Sequence, residues 1–262
     1  MFEARRWPAK VALQVLVSVM VIPFIFPLIA MVQGSLAGTG WNNYKVVLSI
    51  SQLPVFFRNS AIIAASVILI VYVCAMLASF AFSKLHIRGK EVYFWLLMAA
   101  LTLPEVVLLA PLFATDQALG IYDTYWSVIL PLAALQIPFM VLLARNFMDG
   151  VPDQLIDAAQ IDGANMWKAF RYIVLPLTSP IAAAIVVLTL IGTWNDYLLP
   201  LVFLQDASLQ TVTQVPDFFI GAFNNDQTKI LAAATLTAIP EIVVYLLLQR
   251  SFERGLSAGA LK

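Results

Sequence analysis

The 262 residues predict an all-α, polytopic membrane protein, and three observations carry that class. Hydrophobic residues make up 61% of the chain, charged residues only 11%, and mean hydropathy is +0.89, more apolar surface than a water-soluble fold of this size hides. Nearly uncharged runs of about 20 residues or more, each long enough for a hydrocarbon layer of about 30 Å, occur six times. Lysine and arginine alternate in density from one intervening loop to the next.

In order, the runs predict spans at about 11–33, 60–83, 92–115, 125–144, 172–204 and 230–249. The first follows Arg5, Arg6 and Lys10, the start of a secretory signal peptide, with Ser35-Leu36-Ala37 as a cleavage-like site. Its 23 apolar residues exceed a signal-peptide core, so an uncleaved span is expected. Ten of the 14 prolines fall within spans: Pro23, Pro27, Pro104, Pro111, Pro131, Pro138, Pro176, Pro180, Pro200 and Pro240. Each favours a kink, which either shapes a pathway or reflects how common proline is in membrane helices. No repeat relates the first three spans to the last three, unlike transporters built on inverted repeats.

Formal net charge is zero, 15 basic against 15 acidic residues, so the total points to no nucleic acid or strongly charged partner. Position is more informative. Arg5, Arg6, Lys10, Lys84, Arg88, Lys90, Arg145, Lys168, Arg171, Arg250, Arg254 and Lys262 fall on one side, against Lys45, Arg58 and Lys229 on the other. Both termini and the loops after spans 2 and 4 are therefore expected in the cytoplasm, with 34–59, 116–124 and 205–229 outside. Cys74, the single cysteine, excludes an intrachain disulfide framework and is read as a packing residue. His86, the only histidine, supports neither a histidine metal site nor a triad. Gly89-Lys90-Glu91 lacks the upstream glycine of a phosphate-cradling loop.

The long loop 149–171 reads as two short helices. Pro152 and Asp153 suit a first turn, and Leu155, Ala158 or Ala159, and Asp162 recur on one face. Gly163 is placed to end that helix in the left-handed conformation, and Asn165 to cap a second one bearing Met166, Trp167 and Phe170. A half-apolar hairpin outside the bilayer either lies on lipid or enters a groove of another protein. Four aspartates, Asp149, Asp153, Asp157 and Asp162, precede its first lysine, which favours the protein groove.

This segment also carries a family resemblance. Asp157-Ala-Ala-Gln-Ile-Asp-Gly163-Ala resembles the EAA motif of permease subunits of bacterial ATP-binding-cassette importers, and Phe170-Arg-Tyr-Ile-Val-Leu-Pro-Leu-Thr-Ser-Pro180 resembles its continuation. The likeness is to sugar importers similar to the second membrane subunit of the maltose system. It includes Asn59-Ser60, Tyr125-Trp126, Trp194-Asn-Asp-Tyr-Leu-Leu-Pro200 and the tail from Gln249 to Lys262, and the resemblance as a whole runs from about span 1 to the end. Aspartate replaces the usual glutamate at 157, which places any family-specific ion pair there in doubt.

The resemblance implies a non-enzymatic subunit with no cofactor of its own. ATP and Mg would act on two cytoplasmic ATPase subunits, one of which would receive residues 153–164 as a coupling helix through Leu155, Asp157, Ala158, Ala159, Asp162, Gly163 and Ala164. The tail after Arg250 either reaches toward the ATPases or is a solvated terminus. Six spans are few to enclose a sugar-sized pathway, so a homologous second permease subunit is implied. An extracytoplasmic sugar-binding protein would meet loops 34–59 and 205–229, where Trp41, Tyr44, Phe218, Phe219 and Phe223 are either contacts or membrane anchors. The place implied is the bacterial inner membrane.

Acids within spans are expensive, about 2.5–3.5 kcal/mol each at mid-bilayer, and are functional candidates by default. Glu105 follows Pro104, Asp196 lies among Trp194, Asn195 and Tyr197, and Glu241 follows Pro240. Carboxylate, amide and aromatic groups suit a sugar pathway at Glu105, Trp194, Asn195, Asp196 and Tyr197, while Glu241 reads as structural. The competing class is a stand-alone ion-coupled carrier with Glu105, Asp196 and Glu241 as coupling acids; an intramembrane enzyme lacks a catalytic constellation.

Overall fold

A computed structural model describes residues 7–221 and 225–260, and among them the side chains of Trp7, 10–221 and 225–249. Arg5, Arg6, Phe223 and Lys262, and the side chains of Arg250 and Arg254, lie outside the described residues. The helices are α1 (Trp7–Ser35), α2 (Asn42–Leu48), α3 (Leu53–Lys84), α4 (Lys90–Ala99), α5 (Glu105–Leu119) and α6 (Trp126–Met148). They continue as α7 (Asp153–Ile161), α8 (Met166–Ala169), α9 (Leu175–Leu177), α10 (Ser179–Trp194), α11 (Leu198–Phe203) and α12 (Gln227–Ala260). Among the described residues, β pairing is confined to one isolated bridge, Ile220 with Asn225.

Four helices are long and apolar enough to cross a membrane: α1 from Lys10, α3, α6, and α12 as far as Gln249. Two further stretches qualify only as bent pairs. The run read as 92–115 divides into Lys90–Thr102 and Glu105–Leu119 at an angle of 104°. The run read as 172–204 divides into Met166–Leu177 and Ser179–Trp194 at 75°, and breaks again before α11. The reason is local: Pro104 and Pro180 have no N–H to continue the ladder, Pro104 pushes the residue before it out of helical geometry, and Pro180 sits in the first turn of α10, behind a non-helical Thr178. Leu103 is extended, with ψ of 118°. Pro23, Pro27, Pro111, Pro131, Pro138 and Pro240 stay inside unbroken helices.

The chain forms two compact units, residues 1–51 with 215–238, and 52–214 with 239–262. In the first, Asn43 is buried and holds the turn after α1, donating from Nδ2 to the carbonyls of Ser35 and Ala37 at 2.9 Å while Thr39 Oγ1 donates to its Oδ1 at 2.6 Å.

The second unit holds the hydrophobic core. Phe56, Ser60, Ile63, Val67, Val71, Ala75 and Ser79 form a buried stripe at spacings of three and four along α3. That stripe packs on α6, where Val128, Leu132, Ala133, Met140, Val141 and Ala144 are buried. Small residues at the crossing let the backbones approach, and Ser79 Oγ donates to the Val141 carbonyl at 3.0 Å. Cys74 lies off this stripe and is exposed, which corrects its reading as a packing residue: the buried face of α3 is too narrow to include it.

Ala144, with no exposed surface, tests the close approach. Ala144→Leu is expected to destabilise the purified protein by about 1–3 kcal/mol through overpacking, read as a lower thermal midpoint in detergent. Cys74→Leu on the open face is expected to leave the midpoint unchanged.

Candidate functional site

The loop after α6 is anchored by one amine. Lys84, the last residue of α3, has a buried side chain, and its Nζ donates to the Val151 carbonyl at 2.6 Å and to Asp153 Oδ1 at 2.7 Å. Beside it, Ser83 Oγ donates to Asp149 Oδ1 at 2.6 Å. The hydrogen bond from Lys84, then its charge, holds the Asp153 carboxyl below its ordinary value of 3.8. The first turn of α7 is thereby tied to a helix 69 residues earlier in the chain.

α7 presents two different faces. Ile156 is buried in the core with Phe170 and Val174. Opposite it, Asp157, Ala158, Asp162 and Gly163 are exposed, Ala159 and Ala164 are half-buried, Leu155 is 43% exposed and Ile161 is 87% exposed. Gly163 ends the helix with φ of 82°, and Asn165 caps the next by accepting from the Lys168 N–H at 2.9 Å, both as their residue types predict. Sequence reading passed over Ile161, because its neighbours in the motif are small or acidic; its signal was an isoleucine on the face opposite Ile156. A cleft of about 300 Å³ opens next to Leu155, lined by Phe147, Gly150, Val151, Pro152 and Leu177.

After α8 the backbone widens into a π-helical turn, Phe170–Val174, and then bends at Thr178. Thr178 is buried, and its Oγ1 donates to the carbonyls of Val174 at 2.8 Å and Leu175 at 3.2 Å, the first of which also accepts the Thr178 N–H at 2.9 Å.

The second candidate lies where the other breaks meet. Glu105 opens α5, where the helix dipole favours a carboxylate, and its carboxyl lies beside that of Asp196 at the end of α10. Asp196 Oδ1 accepts from the Leu199 N–H at 3.0 Å and caps α11. Asn195 Nδ2 donates to the Ile191 carbonyl at 3.0 Å and to Glu241 Oε2 at 2.9 Å, so Glu241 holds Asn195 in place. Gln136 Nε2 donates to Thr193 Oγ1 at 3.1 Å one turn away. Trp194 is buried and packs against the Phe57 ring at 6.4 Å, whereas Tyr197 is 41% exposed. The structure thus brings Glu105 and Asp196 together, pairs Asn195 with Glu241, and turns the Trp194 ring into the packing. Two neighbouring carboxyls suit a polyhydroxylated solute or a shared cation.

Asn59 was noted in the sequence only for its family likeness. It is fully buried, donating from Nδ2 to the Ser208 and Gln210 carbonyls at 2.8 Å and accepting from Tyr125 Oη at 2.7 Å. Ser60 Oγ accepts from the Val212 N–H, and Asp123 Oδ1 accepts from the Gln205 and Asp206 N–H groups. These starts of α3 and α6 fasten segment 205–212, and Thr213 Oγ1 then donates to the Asp196 carbonyl at 2.9 Å. In the first unit, Lys229 and Thr228 donate to Asp226 and hold its carboxyl down to about 2. Trp41 there is 71% exposed and Phe218 49% exposed.

Residues 72–258 match the family model described as "Binding-protein-dependent transport system inner membrane component". The "Probable ABC transporter permease protein YurM" of Bacillus subtilis is 33% identical over 225 residues, covering 86% of this chain and 75% of that protein. The "Melibiose/raffinose/stachyose import permease protein MelC" of the same organism is 32% identical over 227 residues, covering 86% and 82%. A "sn-glycerol-3-phosphate transport system permease protein UgpE" of Salmonella choleraesuis is 36% identical over 200 residues, covering 76% and 70%. In fold, the chain is similar to one in the crystal structure of a bacterial ABC transporter that imports the acidic polysaccharide alginate, with a TM-score of 0.78, 21% identity, and coverage of 96% and 99%.

The Lys84 anchor has a measurable signature. Lys84→Met is expected to speed amide hydrogen exchange in α7 about tenfold, with Lys84→Arg close to wild type, since a hydrogen bond to a charged group is lost in one and kept in the other. A carboxyl whose pKa falls on folding stabilises the fold above its ordinary pKa, and that contribution goes as pH drops through the depressed value. The wild type is therefore expected to hold α7 at pH 5 and to loosen it only below pH 3.8, the ordinary value for Asp153.

Proposed function

This chain belongs to the family of binding-protein-dependent transport system inner membrane components, and on that premise we propose that it is half of the pathway of an ATP-driven carbohydrate importer. Family membership favours this reading over a self-sufficient ion-coupled carrier, and it makes the chain a transport permease rather than a catalytic subunit. Each bent pair counts as one broken span, so the chain crosses the membrane six times with the 149–171 loop between the fourth and fifth crossings. The bias of twelve basic residues to one side puts both termini and that loop in the cytoplasm.

The observation that carries the coupling role is the division of α7 between a buried Ile156 and an outward face of Leu155, Ala158 and Ile161. An isoleucine left 87% exposed beyond the bilayer is costly in water, and covering it in a partner's groove contributes about 1.5–3 kcal/mol. Small Ala158, Ala159 and Gly163 let the partner's surface come close, and Asp157 and Asp162 offer acceptors at the rim. The partner is a cytoplasmic ATPase subunit, one of two that carry ATP and Mg. Lys84 transmits their movement: α7 cannot shift without pulling on the end of α3. A second, homologous permease subunit completes the pathway, and an extracytoplasmic binding protein delivers the solute to the outer loops bearing Trp41 and Phe218.

The solute is a sugar or a sugar-like polyol or glycerol phosphate, in keeping with what MelC and UgpE are named for. Glu105, Asn195 and Asp196 line its route, with Tyr197 at the edge, Glu241 holding the Asn195 side chain and Trp194 packed behind them. ATP and Mg bind the partner subunits, and this chain carries no cofactor.

Ile161→Asp is expected to weaken co-purification of the ATPase by about tenfold or more, and deletion of 155–163 to abolish it, with membrane insertion intact in both. Isolation of this chain alone in a transport-competent state would overturn the proposal. Separately, Glu105→Gln and Asn195→Ala are expected to lower solute-stimulated ATP hydrolysis without loss of assembly. Unchanged transport in both variants removes these residues from the route.

A further inference from the structure

The stretch Met166–Leu177 stands at 75° to Ser179–Trp194. Membrane-crossing helices tilt by about 20° on average from the bilayer normal, so the stretch before the bend lies close to the membrane plane. Its outward side chains are those of an interfacial helix: Trp167 is 61% exposed, Tyr172 is 74% exposed, and Lys168 and Arg171 are exposed beside them.

α3 gives its depth independently. Its 32 residues span about 48 Å at 1.5 Å each, against about 30 Å of hydrocarbon. Shared evenly, the excess leaves about 9 Å, or about six residues, beyond the hydrocarbon at each end. The boundary before Lys84 then falls next to Leu77, where α3 meets the interfacial stretch. At that meeting is a groove of about 250 Å³, lined chiefly by Tyr72, Met76 and Leu77 of α3 and by Trp167, Phe170 and Arg171.

Arg171 is the one charged residue lining the groove, and it has no ion-pair partner among the described residues. Its guanidinium lies 5.9 Å from the centre of the Tyr172 ring. The charge of the loop also changes sign along its length: Asp149, Asp153, Asp157 and Asp162 come first, Lys168 and Arg171 only where the chain returns to the membrane. The acidic half faces away from a lipid surface of negative charge, and the basic half faces toward one.

We propose that this groove binds an anionic phospholipid from the leaflet on the side of the 149–171 loop. An acyl chain lies along Tyr72, Met76 and Leu77, and the phosphate accepts hydrogen bonds from the Arg171 guanidinium, a planar donor set that matches phosphate oxygens. Trp167 sits at the headgroup level, as amphipathic rings do. The lipid thereby braces the bend at Thr178 from the membrane side. The inference rests on the chain crossing a membrane and on neither the solute nor the ATPase dock.

The test is native mass spectrometry of the purified chain, with whatever subunits accompany it, titrated with phosphatidylglycerol or phosphatidylcholine. Wild type is expected to retain phosphatidylglycerol in preference to phosphatidylcholine. Arg171→Gln is expected to lower phosphatidylglycerol retention about tenfold, loss of a charge-assisted pair, while Arg171→Lys keeps the preference. Leu77→Trp, which fills the groove from its exposed side, is expected to lower retention of both lipids. Retention equal to wild type in both Arg171→Gln and Leu77→Trp overturns the site. So does a photoreactive residue in place of Trp167 that couples to another protein chain in native membranes, which would give the groove to a subunit interface.

Discussion

Hydrocarbon offers no hydrogen bonds, so a membrane helix can break only where something else takes over its backbone groups. At three breaks among the described residues a side chain at the break adds a hydrogen bond to the local backbone. Thr102 Oγ1 donates to the Ala99 carbonyl before the 104° bend, and Thr178 Oγ1 serves two carbonyls at the 75° bend. At the end of α10, Asn195 Nδ2 donates to the Ile191 carbonyl and Asp196 Oδ1 accepts from the Leu199 N–H. Proline makes the breaks and short polar side chains make them tolerable.

The same repairs concentrate chemistry. Asn195 and Asp196 are polar because the chain turns there, and the turn at Pro104 carries Glu105 to meet Asp196. Glu241 then serves Asn195 from α12. At the other end of the second unit, Lys84 supplies the Val151 carbonyl and the Asp153 carboxylate, which ties α7 to the rigid α3–α6 pair. With Ile156 rooted in the core, a force applied to the exposed face of α7 is delivered to packed helices, which move as units.

Much of this was legible in residue order. Apolar length gave the four unbroken spans to within a few residues at most ends, and the local chemistry of Gly163 and Asn165 placed the helix end and the cap in the loop. In residue order, the acids of the loop and its small Ala158, Ala159 and Gly163 favour a protein groove over lipid for the whole segment. The structure separates it into α7, acidic and facing outward, and Met166–Leu177, basic and aromatic beside a groove, so composition averaged over the whole loop hid two surfaces. Cys74 and Trp194 went the other way, one looking like core and standing exposed, the other looking like a ligand contact and lying buried. Hydropathy reports whether a helix is apolar, and in a membrane every face is apolar, so periodicity loses the contrast that separates inside from outside in water.

By itself, then, the order of residues determined what depends on a few neighbouring positions: span length, loop charge, caps, and the motif that marks the family. Tertiary structure decided everything that needs two distant segments. Lys84 and Asp153 are 69 residues apart, and Asn59 reaches carbonyls 149 and 151 residues away. No local pattern announces such a bond, since a lysine ending a span looks the same whether it marks orientation or holds a helix. Packing of α3 on α6 brings those partners within reach, and only then does a charge in the loop arithmetic become a buried, directional contact.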